Sequence, residues 1–218
     1  IVIIGITGLI SWHAFSDNAL FERLLFSPYR VKHHKEYYRL MSNMLVHSDF
    51  THLIFNMISL FFLGEALEYF FFRDYGITIG EIHFLSVYFL GGLASNFYAY
   101  FKHQDNPNYR AVGASGAVSA VIFAAILWYP QMELMLFFIP IPIPAYLFGI
   151  GYLLYSIYGM KNRVGNIGHD AHFGGAIGGY VLSIIFYPSI LVNNKLIVIL
   201  LAVPIVLMFV FKDKLERN

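Results

Sequence analysis

The chain is 218 residues long, 58% hydrophobic and only 12% charged, with a mean hydropathy of +0.63. That is too apolar for a soluble domain of this size and marks an integral membrane protein. A formal net charge of +1 leaves no footprint for nucleic acid, and no Gly-rich phosphate loop or dinucleotide fingerprint is present. With no cysteine, disulfides, thiolate metal sites and a cysteine nucleophile are excluded.

A bilayer core of about 30 Å takes around 20 mostly apolar residues per helix, and on that measure seven spans are expected. The first covers about residues 1–15 and opens inside an apolar run at Ile1, as expected of a longer precursor or a trimmed chain. Residues 16–49 follow, with Arg23, Arg30, Lys32, Lys35 and Arg39 among aromatics and leucines. This segment is too polar to span and too apolar for a free linker, so it is expected to fold on the membrane surface. The second span runs over about 50–72, the third over 82–101, and the fourth from about 113 to just before Tyr129. The fifth is expected over about 142–158, beginning in the IPIPIP stretch with Pro142 in its first turn, where a missing N–H costs nothing. The sixth covers about 169–187 and the seventh about 196–211. No internal repeat or linker divides the chain, so one all-α transmembrane bundle over 1–218 is expected.

Alternate helices cross in opposite directions, which brings the starts of spans two, four and six to one face of the membrane. Those starts carry His52 and Asn56, then Ser115, then His169 and His172. Polar groups at membrane depth are costly and usually face the bundle interior or a wet cavity. Ser115, between Gly113 and Gly116, has little bulk around its hydroxyl, as an exposed nucleophile requires. His52 and Asn56, four residues apart, share a helix face and suit an oxyanion site. His172 lies two residues from Asp170 and about 200° around a helix from it. A Ser–His dyad is therefore favoured over a triad, with Asp170 as a cap at the helix start. Gly174 with Gly178, and Gly175 with Gly179, form GxxxG spacings, matched on span four by Gly113 with Ala117 and Gly116 with Ala120. Small residues so spaced let two helices approach closely. Each feature also has a plainer reading, since Gly, Ala and Ser pack membrane helices and His and Asn bridge them.

Taken together, the motifs HxxxN (His52 to Asn56), GASG (Gly113 to Gly116) and AHFGG (around His172) resemble those of the rhomboid family of intramembrane serine proteases, over about residues 36–179. The resemblance implies a six-helix catalytic core over about 36–187 with one further helix at about 196–211. It implies Ser115 as nucleophile and His172 as base, and His52, Asn56 and the Ser115 backbone N–H as oxyanion donors, with His169 a further candidate for stabilising the oxyanion or substrate. It also implies no cofactor and no metal, with single-span membrane proteins as substrates in the lipid bilayer. Glu36, Tyr38 and Arg39 fall where the family's first loop carries an E-x-W-R element, Tyr38 standing for the tryptophan. At position 119 a serine replaces the tyrosine that in many relatives braces the catalytic histidine, so His169 or a nearby aromatic is expected to hold His172. Family resemblance also suggests span five, with the loop 159–168, as a side gate.

The resemblance places the protein in a bacterial plasma membrane with the active site outward, although the Lys and Arg balance of the loops points the other way. A catalytically inactive family member that binds membrane proteins and a polytopic transporter are the alternatives. A metalloprotease is disfavoured because HExxH is missing.

Overall fold

The computed structural model describes residues 1–136, 139–165 and 167–211. Among them, α1 (Val2–Ala14) is followed by three short helices, α2 (Asn18–Leu24), α3 (Pro28–His34) and α4 (Arg39–Ser42), and a 3-10 turn at Asn43–Leu45. Then come α5 (Phe50–Tyr75), α6 (Ile77–His103), α7 (Ser115–Trp128), a hairpin of β1 (Glu133–Leu136) and β2 (Ile139–Pro144), α8 (Ala145–Asn162), α9 (His169–Phe186), α10 (Ile190–Asn193) and α11 (Lys195–Val210). Each expected span contains one helix. Among the described residues, α5 and α6 are the two helices both long and apolar enough to cross a membrane by length and composition alone.

The fifth helix starts later than expected. The IPIPIP stretch is β2, antiparallel to β1 with Glu133 opposite Pro144 and Leu134 opposite Ile143. Proline lacks an N–H and pushes the residue before it out of helical backbone geometry. Three prolines at alternate positions hold the chain extended, and α8 begins only after the last of them.

At the bundle centre, α6, α7 and α9 meet through small residues. A Cβ added to Gly175 would overlap the carbonyl oxygen of Gly116, and one on Gly179 would overlap that of Ala120. The other stripe of α9 turns elsewhere: a Cβ on Gly174 would stand 3.0 Å from the Ser95 Cα, and one on Gly178 3.1 Å from the Gly91 Cα, both on α6. The two GxxxG spacings thus serve two different neighbours. Every residue of α7 from Gly116 to Leu127 is buried, so its sequence is apolar all round, as a central helix demands.

The segment before α5 is tied down by polar contacts. Ser27 accepts the Arg30 N–H with Pro28 in the first turn of α3. The Arg39 side chain is 1% exposed; its guanidinium donates to the carbonyls of Glu22 at 2.9 Å and Leu25 at 2.6 Å, and to the Glu36 carboxylate. Burial alone would raise the Glu36 carboxyl, but the bond from Arg39 and the charges of Arg39 and Arg30 outweigh it and hold it below the usual range. Phe26 exchanges backbone bonds with Ala111 at 2.9 and 3.0 Å, and the buried amides of Asn43 and Asn96 bond reciprocally at 3.2 and 2.8 Å. The segment is therefore fastened both to α6 and to the loop that leads into α7.

His47 completes the fastening. Ser11 of α1 donates its hydroxyl hydrogen to the Leu45 carbonyl at 2.9 Å, so at 2.9 Å from His47 Nδ1 it accepts. The Nε2 atom accepts the Ala114 N–H at 3.2 Å. Both bonds require the neutral ring protonated at Nδ1. Burial, then the nearby His52, push its pKa from 6.5 down to about 3.

Gly175→Ala is expected to cost about 3 kcal/mol or to prevent folding, because the new methyl meets backbone that cannot yield; thermal unfolding in detergent measures it. The unfolded chain takes up a proton at His47 below about pH 6.5 that the folded ring refuses until about pH 3. This contribution to stability is complete above pH 6.5 and shrinks as pH falls towards 3. Denaturation of wild type and His47→Gln between pH 4.5 and 7.5 should show a shallower acid loss in the variant.

Candidate active site

The start of α7 has no side-chain cap, and Ala114 precedes it. The first N–H groups of a helix find no carbonyl within it. Since the Ala114 N–H goes to His47, the Ser115 N–H remains as a first-turn donor, at the end where the helix dipole favours negative charge. Gly113 adopts a φ of +108°, and a Cβ there would come within 2.6 Å of the His52 ring. Its role is thus to turn the chain beneath His52 and not, as expected, to pack a helix.

A cavity of about 1080 Å³ opens over this turn and is lined by Ser115, His172, His52, Asn56 and Tyr152. The three helix starts singled out in the sequence therefore meet in one cleft. Among the described residues no hydrogen bond joins Ser115 Oγ to the His172 ring; such bonds are often loose without substrate and tighten in the complex. One amide hydrogen of Asn56 goes to the His52 carbonyl at 2.9 Å, which leaves the second to be donated. Asp49 caps α5 by accepting the His52 N–H at 2.8 Å, and its carboxylate is held below the usual range first by that bond and then by Ser48.

Ser48 donates its single hydroxyl hydrogen to Asp49 at 2.8 Å. It therefore accepts from His52 Nδ1, 3.0 Å away, and the neutral ring then carries no hydrogen on Nε2. Donation from Nε2 needs a protonated ring or a Ser48 hydroxyl turned from Asp49 to Nδ1. Ser48 and Asp49 are exposed, so water can take the bond that Asp49 would lose.

On α9, Asp170 differs from its expected role as a cap. It lies in the first turn, but its carboxylate receives Lys102 at 2.7 Å and meets His103 Nε2 at 2.9 Å, both on α6. His169 is buried, with Nε2 donating to the Val164 carbonyl at 3.0 Å. The ring stacked on His172 belongs to Tyr152 of α8, with centroids 5.8 Å apart and planes at 25°. His169 stands edge-on to His172 at 6.3 Å. Tyr152 carried no sequence signal, being one aromatic among many on its helix. His47, five residues before His52, was visible only as a further histidine. Among the described residues no group of three or more His, Asp or Glu is arranged to hold a metal ion.

Residues 34–189 match the family model described as the Rhomboid domain. The chain is similar to RHOMBOID-like protein 12, mitochondrial, of Arabidopsis thaliana, with 27% identity over 81% of this chain and 54% of that protein. It is similar to Rhomboid protease AarA of Providencia stuartii, with 29% identity over 78% of this chain and 62% of the relative. A shorter match, 37% identical over 38% of this chain and 37% of the relative, is to Putative rhomboid protease YdcA of Bacillus subtilis. The matched regions thus span between about half and two thirds of the two longer relatives. With the Rhomboid domain covering most of its length and the three helix starts gathered over one cleft, the chain belongs to the rhomboid family.

Proposed function

We propose that the protein is an intramembrane serine endopeptidase working through a Ser115–His172 dyad. The observation that carries this reading is the shared cleft of Ser115, His172, His52 and Asn56 in a helical membrane bundle. Ser115 Oγ attacks the scissile carbonyl carbon while His172 takes the hydroxyl proton. The resulting oxyanion is met by the Ser115 N–H, the free amide hydrogen of Asn56 and His52 Nε2–H, the last after the proton rearrangement at Ser48 described above. Collapse expels the amine, which leaves with the proton from His172, and water then cleaves the acyl-enzyme by the reverse sequence of proton transfers. The pairing of Asp170 with α6 favours a dyad over a triad.

A membrane helix keeps its carbonyls in internal hydrogen bonds, so a substrate has to unwind locally before it fits. The 14 residues of α7 extend about 21 Å, less than the hydrocarbon thickness of about 30 Å. A helix that short, ending at the far surface, starts below the near one, and this suits a water-filled cleft sunk into the bilayer. Phe148 and Tyr152 of α8 line the cleft together with Phe55 of α5, which is compatible with α8 as the movable wall through which single-span substrates arrive. The cleft is proposed to face the exterior of a bacterial plasma membrane; the mitochondrial names among relatives make an organelle membrane the competing location. Protease protection of the 104–110 loop in sealed vesicles tests the sidedness.

The deciding experiment incubates purified protein in detergent or liposomes with a panel of single-span substrates. Ser115→Ala and His172→Ala should each lower cleavage by at least about 10³-fold, and Asn56→Ala should lower kcat about 10²-fold with little change in KM. Equal cleavage by wild type, Ser115→Ala and His172→Ala would remove the assignment. The transporter alternative predicts that Ser115→Ala is silent in a flux assay.

A further inference from the structure

We infer that Tyr152 is the positioning residue of His172 and that, because Tyr152 rides on α8, the seating of α8 sets the orientation of the base. The inference rests on the protease reading above. Its first support is the stack of the two rings, 5.8 Å apart and 25° from parallel. Its second is a hydrogen-bond relay whose direction follows from counting hydrogens. Ser119 Oγ donates its only hydrogen to the Ser115 carbonyl at 2.7 Å, so in the close contact between the Ser119 and Tyr152 hydroxyls, Tyr152 donates. One tyrosine thus lies against the ring of the base and reaches, through Ser119, the first turn of the helix that carries the nucleophile.

The Tyr152 ring is itself confined by Phe123 of α7 and Phe148 of α8, at 5.8 and 5.9 Å. One turn on, Tyr155 stands edge-on to His169 at 5.2 Å, and a Cβ on Gly159 would overlap the His169 ring. The inner face of α8 therefore lies on the first turn of α9 through Tyr152, Tyr155 and Gly159. Among the described residues no other aromatic ring stacks on His172. A shift of α8 away from α9 carries Tyr152 off the His172 ring and off the Ser119 hydroxyl together. Opening of that wall and loss of a correctly held base are then one event, and the wall has to close behind the substrate before proton transfer is efficient. This explains how a serine is tolerated at position 119: it has become the acceptor that a tyrosine from the neighbouring helix requires.

The test uses the full chain in detergent, a single-span substrate that wild type cleaves, an active-site fluorophosphonate probe, and thermal unfolding. Tyr152→Leu should lower kcat about 10- to 100-fold with KM within about twofold, since misplacement of a reacting group acts on the chemical step, and should slow fluorophosphonate labelling in parallel. Tyr152→Phe, which keeps the stack and loses the relay, should lose about three- to tenfold. Ser119→Ala should lose a similar amount, and combining it with Tyr152→Phe should add little more. In the double variant Ser119→Tyr with Tyr152→Leu, a ring supplied from α7 should recover most of the kcat lost by Tyr152→Leu. Wild-type kcat in Tyr152→Leu, a loss confined to KM, or fully additive losses for Tyr152→Phe and Ser119→Ala would each overturn the inference. If the Leu substitution unfolds the protein, the Tyr152→Phe and Ser119→Ala cycle decides alone. Failure of Ser115→Ala to abolish cleavage would instead count against the protease reading, so the two ideas fail separately.

Discussion

The close approach of α9 to α7, at the points where Gly175 and Gly179 lie against the backbone of Gly116 and Ala120, is the constraint on which the rest of the structure depends. Lipid chains are as apolar as leucine, so helices in a bilayer gain little from hiding apolar surface from one another. They associate where backbones come near enough for dispersion and weak backbone contacts to accumulate. Two glycines one turn apart on α9 make that possible against α7, and Gly174 and Gly178 do the same against α6. The depth and rotation of α9 are then fixed by atoms that cannot move aside. His172 lies three residues before Gly175, and Ser115 immediately before Gly116. Packing and chemistry are therefore not separate properties of these two helices: the same contact that joins them sets how near the serine and histidine stand.

Polar fastening at the mouth of the cleft supplies what close packing cannot. Gly113 lies outside the helix in a turn with φ of +108°, which only glycine adopts without strain. Turns of this kind are held by hydrogen bonds, and here they come from the distant segments that the chain contributed first. The Gly113 N–H goes to the Asn43 carbonyl at 3.0 Å, and the Ala114 N–H to His47. His47 in turn is bonded to Ser11, which links α1 to the nucleophile turn through a neutral, tautomer-specific ring. Arg39, Glu36 and the Asn43–Asn96 pair anchor the intervening chain. Buried polar groups of this sort confer definition when every member has a partner. The segment over residues 16–49 is accordingly best understood as the frame that keeps the Ser115 turn in one conformation.

How much of this was legible in the sequence follows from which interactions leave a local pattern. Apolar runs report membrane helices, and all seven expected spans hold a helix. Glycines at four-residue spacing report close helix contacts, though not which neighbour each stripe faces: Gly174 and Gly178 turned to α6, which their spacing could not say. The His52, Asn56, Ser115 and His172 set stands out because polar residues are rare against so apolar a background. The IPIPIP stretch misled because a proline suits both the first turn of a helix and an extended strand, and the choice depended on a partner strand nearby in the chain. Tyr152 and His47 act across 20 and 67 residues respectively, on His172 and Ala114. Nothing in their immediate surroundings differs from that of an ordinary buried aromatic or loop histidine.

The placement of Tyr152 has a wider physical meaning under the proposed protease function, in which the cleft has to open sideways. A histidine half-buried among apolar helices has few polar groups to orient it, and a carboxylate placed beside it would itself be costly to bury. The carboxylate available nearby, Asp170, is engaged by Lys102 and His103 on α6. An aromatic face restrains the ring at no such cost, since it needs no charge and offers area rather than a single bond. Where that face belongs to the nucleophile's own helix, the base stays ordered whether the cleft is open or closed. Where it belongs to the wall, as with α8 here, order in the base becomes conditional on closure. The first arrangement favours a constantly competent site; the second, in the proposed protease, would tie competence to a seated α8 and so restrict bond cleavage to the interval in which the substrate is enclosed.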